Sequence, residues 1–474
     1  MRQLVLGFGL WLGLFGCSAA TSETSAPPAP SPTTTPEPAA LEGKLHFFVP
    51  RNGTPTEVTR IVYTEALSTR LEGLPAATEV TIAATVLSPT FKDRGYVAKA
   101  TFVTDANGVV DTATQAPKGG TYTGIEPDGL LWSGVDQKLA EVPGPDRLGA
   151  YFVATVGETV VARATVGRLF QGEGITVEKV SADGLVAELF LPKGATNAVP
   201  VVAFGGSEGG IGSAELLAAS AATQGHPALA LAYFGAPGVP KELAEIPLEY
   251  FAKAFAWLDG RPEMRKGSVV VMGGSRGGEL ALQLAATFPQ VVGAVGETPS
   301  LYRWGAVSTA NKAAWTLEGK PLPYVPSVSA GLPPSEPGPD GAPAYVFVGE
   351  FQTDMARAKP EELEAARIRI EDAKGAILML AGADDKLWPA CEFTSRAMTV
   401  LQTSGHAARL GDESVCFPAA GHAISFVGLP TTQSMWSLFD DGTLIALGGT
   451  AAGNAHAARQ GSEKIASFLA RVTR

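Results

Sequence analysis

The chain has 474 residues, 45% of them hydrophobic and 18% charged, and carries a formal net charge of −11. That length and apolar content provide for two or three domains with a full core and exclude a disordered or coiled-coil chain. The acidic balance excludes a general nucleic-acid binder, and 3 cysteines are too few for a disulfide-rich scaffold or a four-Cys zinc site.

Arg2 precedes an almost wholly apolar run, Leu4 to Phe15, that ends in Gly16-Cys17-Ser18. A charged start, about a dozen apolar residues and a small-residue exit read as a secretory signal over 1–16, too short to span a bilayer. Leu14-Phe15-Gly16-Cys17 resembles a bacterial lipobox, although Phe15 stands where a small or branched residue is usual. The resemblance implies cleavage before Cys17 and lipidation there. Acyl chains on that cysteine would anchor the protein by burying methylenes in the membrane. The alternative is an ordinary signal in which Cys17 is incidental. Ser18 rather than Asp favours the outer membrane of a Gram-negative cell. The expectation is an exported, membrane-anchored lipoprotein, periplasmic or at the cell surface. Residues 17–42 are rich in Ser, Thr, Pro and Ala and read as an extended tether.

Residues 43–168 are patterned in short, β-branched runs. Val80–Leu87, Val97–Val103, Tyr151–Val156 and Thr159–Val166 read as strands, and Asp105-Ala106-Asn107-Gly108 as a hairpin turn. Such spacing without long helices predicts an all-β sandwich. From 169 to 474, strand-like runs alternate with helix-length segments. Strands are expected at Val199–Phe204, Ala228–Tyr233, Ser268–Met272, Val291–Val295, Ala376–Ala381 and Ser414–Phe417. Helices are expected at Ala214–Thr223, Pro247–Leu258 and Gly278–Thr287. This is the α/β pattern of a doubly wound parallel sheet, in which sites form at the carboxyl ends of the strands.

The strand ending at Met272 runs into Gly273-Gly274-Ser275-Arg276-Gly277 and then a helix. Strand, Gly-x-Ser-x-Gly, helix is a nucleophile elbow, whose tight turn needs small neighbours around the serine. Serine needs a base, and in this arrangement the acid and then the histidine follow it in the chain. Among His406, His422 and His456, His422 stands just after a strand, in Pro418-Ala419-Ala420-Gly421-His422. His406 reads as a helix-terminal cap, and His456 sits in a helix near Ala455–Gln460, where it either lines the site or is structural. The acid comes from Gly382-Ala383-Asp384-Asp385, after the Ala376–Ala381 strand. Asp385 is favoured, leaving Asp384 to shape the loop or cap the next helix. For an oxyanion hole the donors are the Arg276 N–H and an N–H of the loop Gly205-Gly206-Ser207-Glu208-Gly209-Gly210, with Ser207 preferred and Gly206 next. That loop lacks the Lys-Ser/Thr ending of a phosphate-binding loop. The Arg276 side chain either meets an anionic substrate or lies in solvent.

Over residues 50–474 the chain resembles the acyl-CoA thioesterase / bile acid-CoA:amino acid N-acyltransferase family. The stretch Gly119-Gly120-Thr121-Tyr122-Thr123-Gly124-Ile125-Glu126-Pro127-Asp128-Gly129-Leu130-Leu131-Trp132-Ser133 is similar to the family's N-terminal signature, with Asp128 in place of the usual methionine. Gly73-Leu74-Pro75-Ala76, ahead of it, resembles a Gly-Leu-x-Pro-like turn of the family, and Tyr233-Phe234-Gly235, Gly273–Gly277, Gly382–Trp388, Gly421-His422 and Gly448-Gly449 follow in family order. The resemblance implies an immunoglobulin-like domain ahead of an α/β-hydrolase domain, with Ser275, Asp385 and His422 as the triad. It also implies a small-molecule acyl ester or thioester substrate. No cofactor, metal or nucleic acid is expected. In the family's amino-acid-conjugating branch the nucleophile is cysteine, so Ser275 favours release of the acyl group to water. Acyl transfer to an amine or alcohol, acyl-ligand binding without catalysis, and peptidase activity are the alternatives. Acyl-CoA is cytosolic, so an export signal points to another ester or thioester. Trp132 fits either an acyl pocket or the core. The Pro/Gly-rich stretch Gly331–Pro343 is a lid or a plain loop. Cys391 and Cys416 flank the two catalytic loops and could pair in an oxidising compartment.

Overall fold

A computed structural model describes residues 41–474 except 52, 89–91, 308–310, 328–331, 339–340, 425–426 and 439–441. The signal, Cys17 and nearly all of the tether therefore lie outside the described residues. Glu42–Arg474 forms one compact unit.

Its N-terminal part is two β-sheets. One carries the strands Thr54–Glu57, Lys44–Arg51, Ser68–Glu72 and Val110–Asp111 in that order. The other runs Arg60–Val62, Thr159–Leu169, Ala150–Val156, Glu79–Leu87, Arg94–Val103 and Gly119–Gly120, with Val135–Lys138 also paired to Arg94–Val103. Pairing is antiparallel apart from Arg60–Val62 on Thr159–Leu169. Along Glu79–Leu87 alternate residues are buried, so Val80, Ile82, Ala84 and Val86 face inward, as period-two patterning requires. Phe47 of the first sheet meets Phe152 of the second with ring centroids 4.6 Å apart, so the core lies between the sheets. The four predicted strands are present, each one to three residues longer. The Asp105–Gly108 turn forms, with the Asp105 carboxylate accepting from the N–H groups of Asn107 and Val109. It does not close a hairpin within one sheet, however. It carries the chain from the second sheet to the Val110–Asp111 strand of the first.

The C-terminal part is built on an eight-stranded sheet. Its order is Ile175–Val180, Val186–Pro192, Ala228–Ala232, Val201–Phe204, Val269–Gly274, Val291–Glu297, Ala376–Gly382, Glu413–Phe417. The first two strands run antiparallel, and the remaining six are mutually parallel. All six strands predicted for the sheet are there. Two further strands went unread: the edge strand Ile175–Val180 is mostly exposed and carries no apolar run, while Val186–Pro192, paired on both sides, buries Ala187, Leu189 and Phe190. Gly212–Thr223 and Ala451–Val472 cover one face, while Glu249–Asp259, Arg276–Thr287 and Ala390–Thr403 pack on the other. Both faces are thus buried, which is why the central strands are continuous apolar runs such as Val269–Met272.

The two parts are joined through the signature stretch. Its short helix Gly129–Trp132 is wholly buried. Trp132 belongs to the β-sheet core, its ring 5.9 Å from that of Tyr122, in keeping with the core alternative for this residue. From the same stretch Glu126 accepts from Arg459 at 2.8 Å, and Asp128 pairs with the other terminal nitrogen of Arg459. His456 Nε2 lies 2.7 Å from Glu126, which gives that histidine a structural role away from the catalytic loops. Burial raises the Asp128 carboxyl above its ordinary range, and Arg459 opposes that rise. Replacing Arg459 with Ala removes the counter-charge from a buried carboxylate. It should cost about 3–5 kcal/mol of stability at neutral pH in a urea titration, and Asp128→Asn in the same background should recover part of the loss.

Candidate active site

Ser275 stands between the Val269–Gly274 strand and the Arg276–Thr287 helix with φ of 55° and ψ of −121°. That is a left-handed, strained conformation for a serine, held by two backbone bonds. Its N–H donates to the Glu297 carbonyl at 2.8 Å, and its carbonyl accepts from the Glu279 N–H at 3.0 Å. Close packing around it explains the flanking glycines. A Cβ on Gly277 would collide with the Gly205 carbonyl oxygen and stand 3.0 Å from that of Phe204. The Ser275 turn and the Gly205–Gly210 loop therefore meet backbone to backbone. Gly206 lies on the serine itself, since a Cβ there would be 3.1 Å from Ser275 Cβ.

His422 Nδ1 and Asp385 Oδ2 are 2.8 Å apart, and both residues are buried. The other Asp385 oxygen accepts from the N–H groups of Leu387, at 2.9 Å, and Trp388, at 3.1 Å. Those bonds fix the carboxylate, which in turn fixes the imidazole. The Trp388 ring stands edge to face against His422 with centroids 5.7 Å apart. Its Nε1 donates to the Thr298 carbonyl at 3.0 Å, one residue beyond the carbonyl that holds Ser275. The histidine and the serine are thus both referenced to the end of the Val291–Glu297 strand. Among the described residues His422 Nε2 has no hydrogen-bond partner, so no Ser275–His422 bond is made in this structure. Catalytic hydrogen bonds of free enzymes often close only with substrate bound.

Asp384 points away from this pair and accepts from the Gly449 N–H at 3.0 Å, shaping the loop. Gly206 N–H donates to the Glu208 carboxylate at 2.9 Å. Nothing in the residue pattern signals that bond, because Glu208 reads as one more polar loop residue. Among the described residues the Ser207 N–H, like those of Glu208 and Gly209, makes no backbone bond, and the Arg276 N–H stands at the start of the helix. The Arg276 side chain is neither in solvent nor free for a substrate. It is buried against Glu279 at 3.2 Å, donates to the Trp304 carbonyl at 3.0 Å and lies over the Trp315 ring. His406 is not an exposed cap. It begins the short helix His406–Leu410, fully buried, with Nδ1 2.6 Å from Asp412 and Nε2 2.9 Å from the Ala373 carbonyl.

Cys391 and Cys416 form a disulfide that ties the Ala390–Thr403 helix to the Glu413–Phe417 strand. The Gly331–Pro343 stretch is a hairpin in part. Ser335–Pro337 pairs with Pro343–Tyr345, and that strand with Leu444–Ala446. Glu336 reaches Lys386, next to Asp385, at 2.7 Å. Among the described residues no group of three or more His, Cys, Asp or Glu could hold a metal ion.

Two family models match the chain. Residues 64–182 match "Acyl-CoA thioester hydrolase/BAAT N-terminal region", and residues 246–474 match "BAAT / Acyl-CoA thioester hydrolase C terminal". The chain is similar to acyl-coenzyme A amino acid N-acyltransferase 1 of Mus musculus, with 28% identity over 389 residues, 78% of this chain and 86% of that one. It is similar to the mitochondrial acyl-coenzyme A thioesterase 2 of Rattus norvegicus, with 27% identity over 375 residues and 77% of each chain. Among solved structures, an esterase of Pyrobaculum calidifontis aligns with 64% of this chain and 86% of its own, at 14% identity and a TM-score of 0.40.

Two outcomes follow from the geometry. Gly277→Ala should cost roughly 1–3 kcal/mol, by overpacking two backbones that cannot separate, in a chemical denaturation series. Glu297 has a carboxyl that burial alone pushes up to about 8, and neither oxygen has a partner among the described residues. Because the folded form holds this proton more tightly than the unfolded one, stability falls as pH rises from the ordinary glutamate range to about 8. The slope approaches about 1.4 kcal/mol per pH unit, and Glu297→Gln should remove that part of the pH dependence of the melting curve.

Proposed function

Since the chain belongs to the BAAT / acyl-CoA thioester hydrolase family, we propose that Ser275, His422 and Asp385 are its catalytic triad and that it cleaves acyl thioesters or carboxylic esters through an acyl-enzyme. Its relatives make it a hydrolase of the thioesterase and esterase type. The observation that carries the triad is the buried Asp385–His422 pair with Nε2 unpartnered, beside a strained serine at a strand-to-helix turn.

In the proposed mechanism Ser275 Oγ attacks the acyl carbonyl carbon while His422 Nε2 takes its proton. Asp385 stabilises the resulting imidazolium through Nδ1–H. The N–H groups of Arg276 and Ser207 bind the oxyanion. Collapse breaks the bond to the leaving thiol or alcohol, which receives the proton from His422. Water, deprotonated by the same nitrogen, then attacks the acyl-serine and releases the carboxylic acid. The N-acyltransferase relatives keep a second reading in view, in which an amine takes the place of water.

The finer organisation is read in the same way. Two facing sheets support an immunoglobulin-like N-terminal domain, and the strand order supports an α/β-hydrolase domain after it. Export, with a lipid anchor at Cys17, rests on the N-terminal residues, and the Cys391–Cys416 disulfide supports an oxidising compartment.

Ser275→Ala should lower kcat on p-nitrophenyl esters or acyl-CoAs by a factor on the order of 10⁶ and abolish labelling by a fluorophosphonate probe. Asp385→Asn should lower kcat by about 10⁴ with the fold intact. Labelling that persists at another residue after Ser275→Ala would sink the assignment. Adding an amine acceptor and analysing products decides between water and transfer.

A further inference from the structure

A cavity of about 260 Å³ lies between the N-terminal sheets and the catalytic sheet. Tyr63 and Phe170 line it from one side, and Leu217, Met272, Val427 and Ile465 from the other. Ser275, Asp385 and His422 do not line it, so it is separate from the site described above. Glu297 connects the two, since it lines the cavity and its carbonyl holds the Ser275 N–H, and Met272 lines the cavity from the strand that leads to Ser275.

The charge in the cavity wall is positive. Arg168 is only 3% exposed. Its Nε donates to the Leu148 carbonyl at 2.7 Å, one terminal nitrogen donates to the Gly428 carbonyl at 2.9 Å, and its guanidinium lies 5.0 Å from the centre of the Tyr63 ring. Both acceptors are neutral, and among the described residues no carboxylate stands within ion-pair distance. Burial accordingly lowers the pKa of this arginine. Arg147 lines the same wall and donates to the carbonyls of Ser88 and Lys92. Burial of Glu297 disfavours its charged form and pushes its carboxyl up to about 8. A buried cation with no carboxylate in ion-pair contact, Asp146 acting on it only from a longer range, and facing apolar walls, is complemented by an anion that carries an apolar tail.

Size limits the tail. An apolar cavity of roughly 150 Å³ is filled by benzene, six heavy atoms. In proportion, 260 Å³ takes about ten heavy atoms, the count of an eight-carbon carboxylate. We propose that this cavity binds a short amphipathic carboxylate of about eight carbons, its head at Arg168 and its tail between Leu217 and Ile465. Because both halves of the protein contribute walls, the ligand would bridge them, next to the strand end that holds the serine.

The test is calorimetric titration of sodium octanoate into the purified full chain, with octanol as the uncharged control. Octanoate should bind at least tenfold more tightly than octanol; equal affinity would overturn the proposal. Ser220→Phe and Ser462→Phe each put a ring into the cavity, one from the Gly212–Thr223 helix and one from the Ala451–Val472 helix. Whichever of them melts as cooperatively as the parent chain should lose octanoate binding at least tenfold, and retained binding would place the ligand elsewhere. Ser275→Ala should bind octanoate as the parent does. In turnover of p-nitrophenyl acetate, octanoate should change kcat; a purely competitive pattern would make this the substrate's own acyl site and end the claim of a separate one. Absence of any turnover would instead count against the proposed function, and the titrations would still decide the cavity.

Discussion

Backbone packed directly on backbone is the constraint on which this site depends. Gly277 lets the elbow rest on the Gly205 carbonyl, and Gly382 lets the acid strand rest on the carbonyl of Gly421, the residue before His422. A side chain at either position would push two loops apart by more than an ångström, and a displacement of that size is enough to spoil a near-attack geometry. What remains to be set is orientation. It is supplied by two consecutive carbonyls, Glu297 holding the Ser275 N–H and Thr298 holding the Trp388 indole. One strand end thus positions Ser275, the proposed nucleophile, directly and the His422 imidazole through an aromatic ring.

The N-terminal half is fastened close to this machinery. Trp132 accepts from the Thr431 N–H at 2.9 Å, and Thr431 lies nine residues beyond His422. Thr431 Oγ1 also donates to Ala451 at the start of the helix that carries His456 and Arg459. The signature stretch therefore docks both the segment after the histidine and the helix behind it. Asp128, where the family usually has methionine, does not leave a hole in that interface, because Arg459 supplies its counter-ion. The structural reason for the motif is thus domain attachment, with no residue of Glu126–Trp132 lining the Asp385–His422 pair.

Much of this was legible in the sequence because the signals were local. An apolar strand running into Gly-x-Ser-x-Gly and a helix can hardly fold otherwise, and the six parallel strands announce themselves as unbroken apolar runs. His422 and Asp385 could be chosen because each follows a strand. What was not legible depended on partners distant in the chain. His406 looks like a cap until Asp412 and Ala373 close around it. Arg276 looks like a surface cation until Glu279, Trp304 and Trp315 take it inside. Ile175–Val180 pairs on one edge only and shows no alternation, so no periodicity marks it as a strand. The sense of the Asp105 turn depends on which sheet receives Val110, and the turn residues carry no information about that.

Glu208 bears on the chemistry in a way that neither motif nor fold foretells. A carboxylate bonded to Gly206 N–H stands beside the place where a tetrahedral intermediate on Ser275 would form. Two like charges at that range oppose each other in a site of low dielectric, so an oxyanion cannot share the Gly206 donor while Glu208 holds it. On the proposed mechanism the developing charge then falls to the N–H groups of Ser207 and Arg276. On the proposed mechanism the same bond braces the loop in the shape that presents Ser207. A charge that would be harmful at the oxyanion is thereby used one residue away to decide which donors receive it.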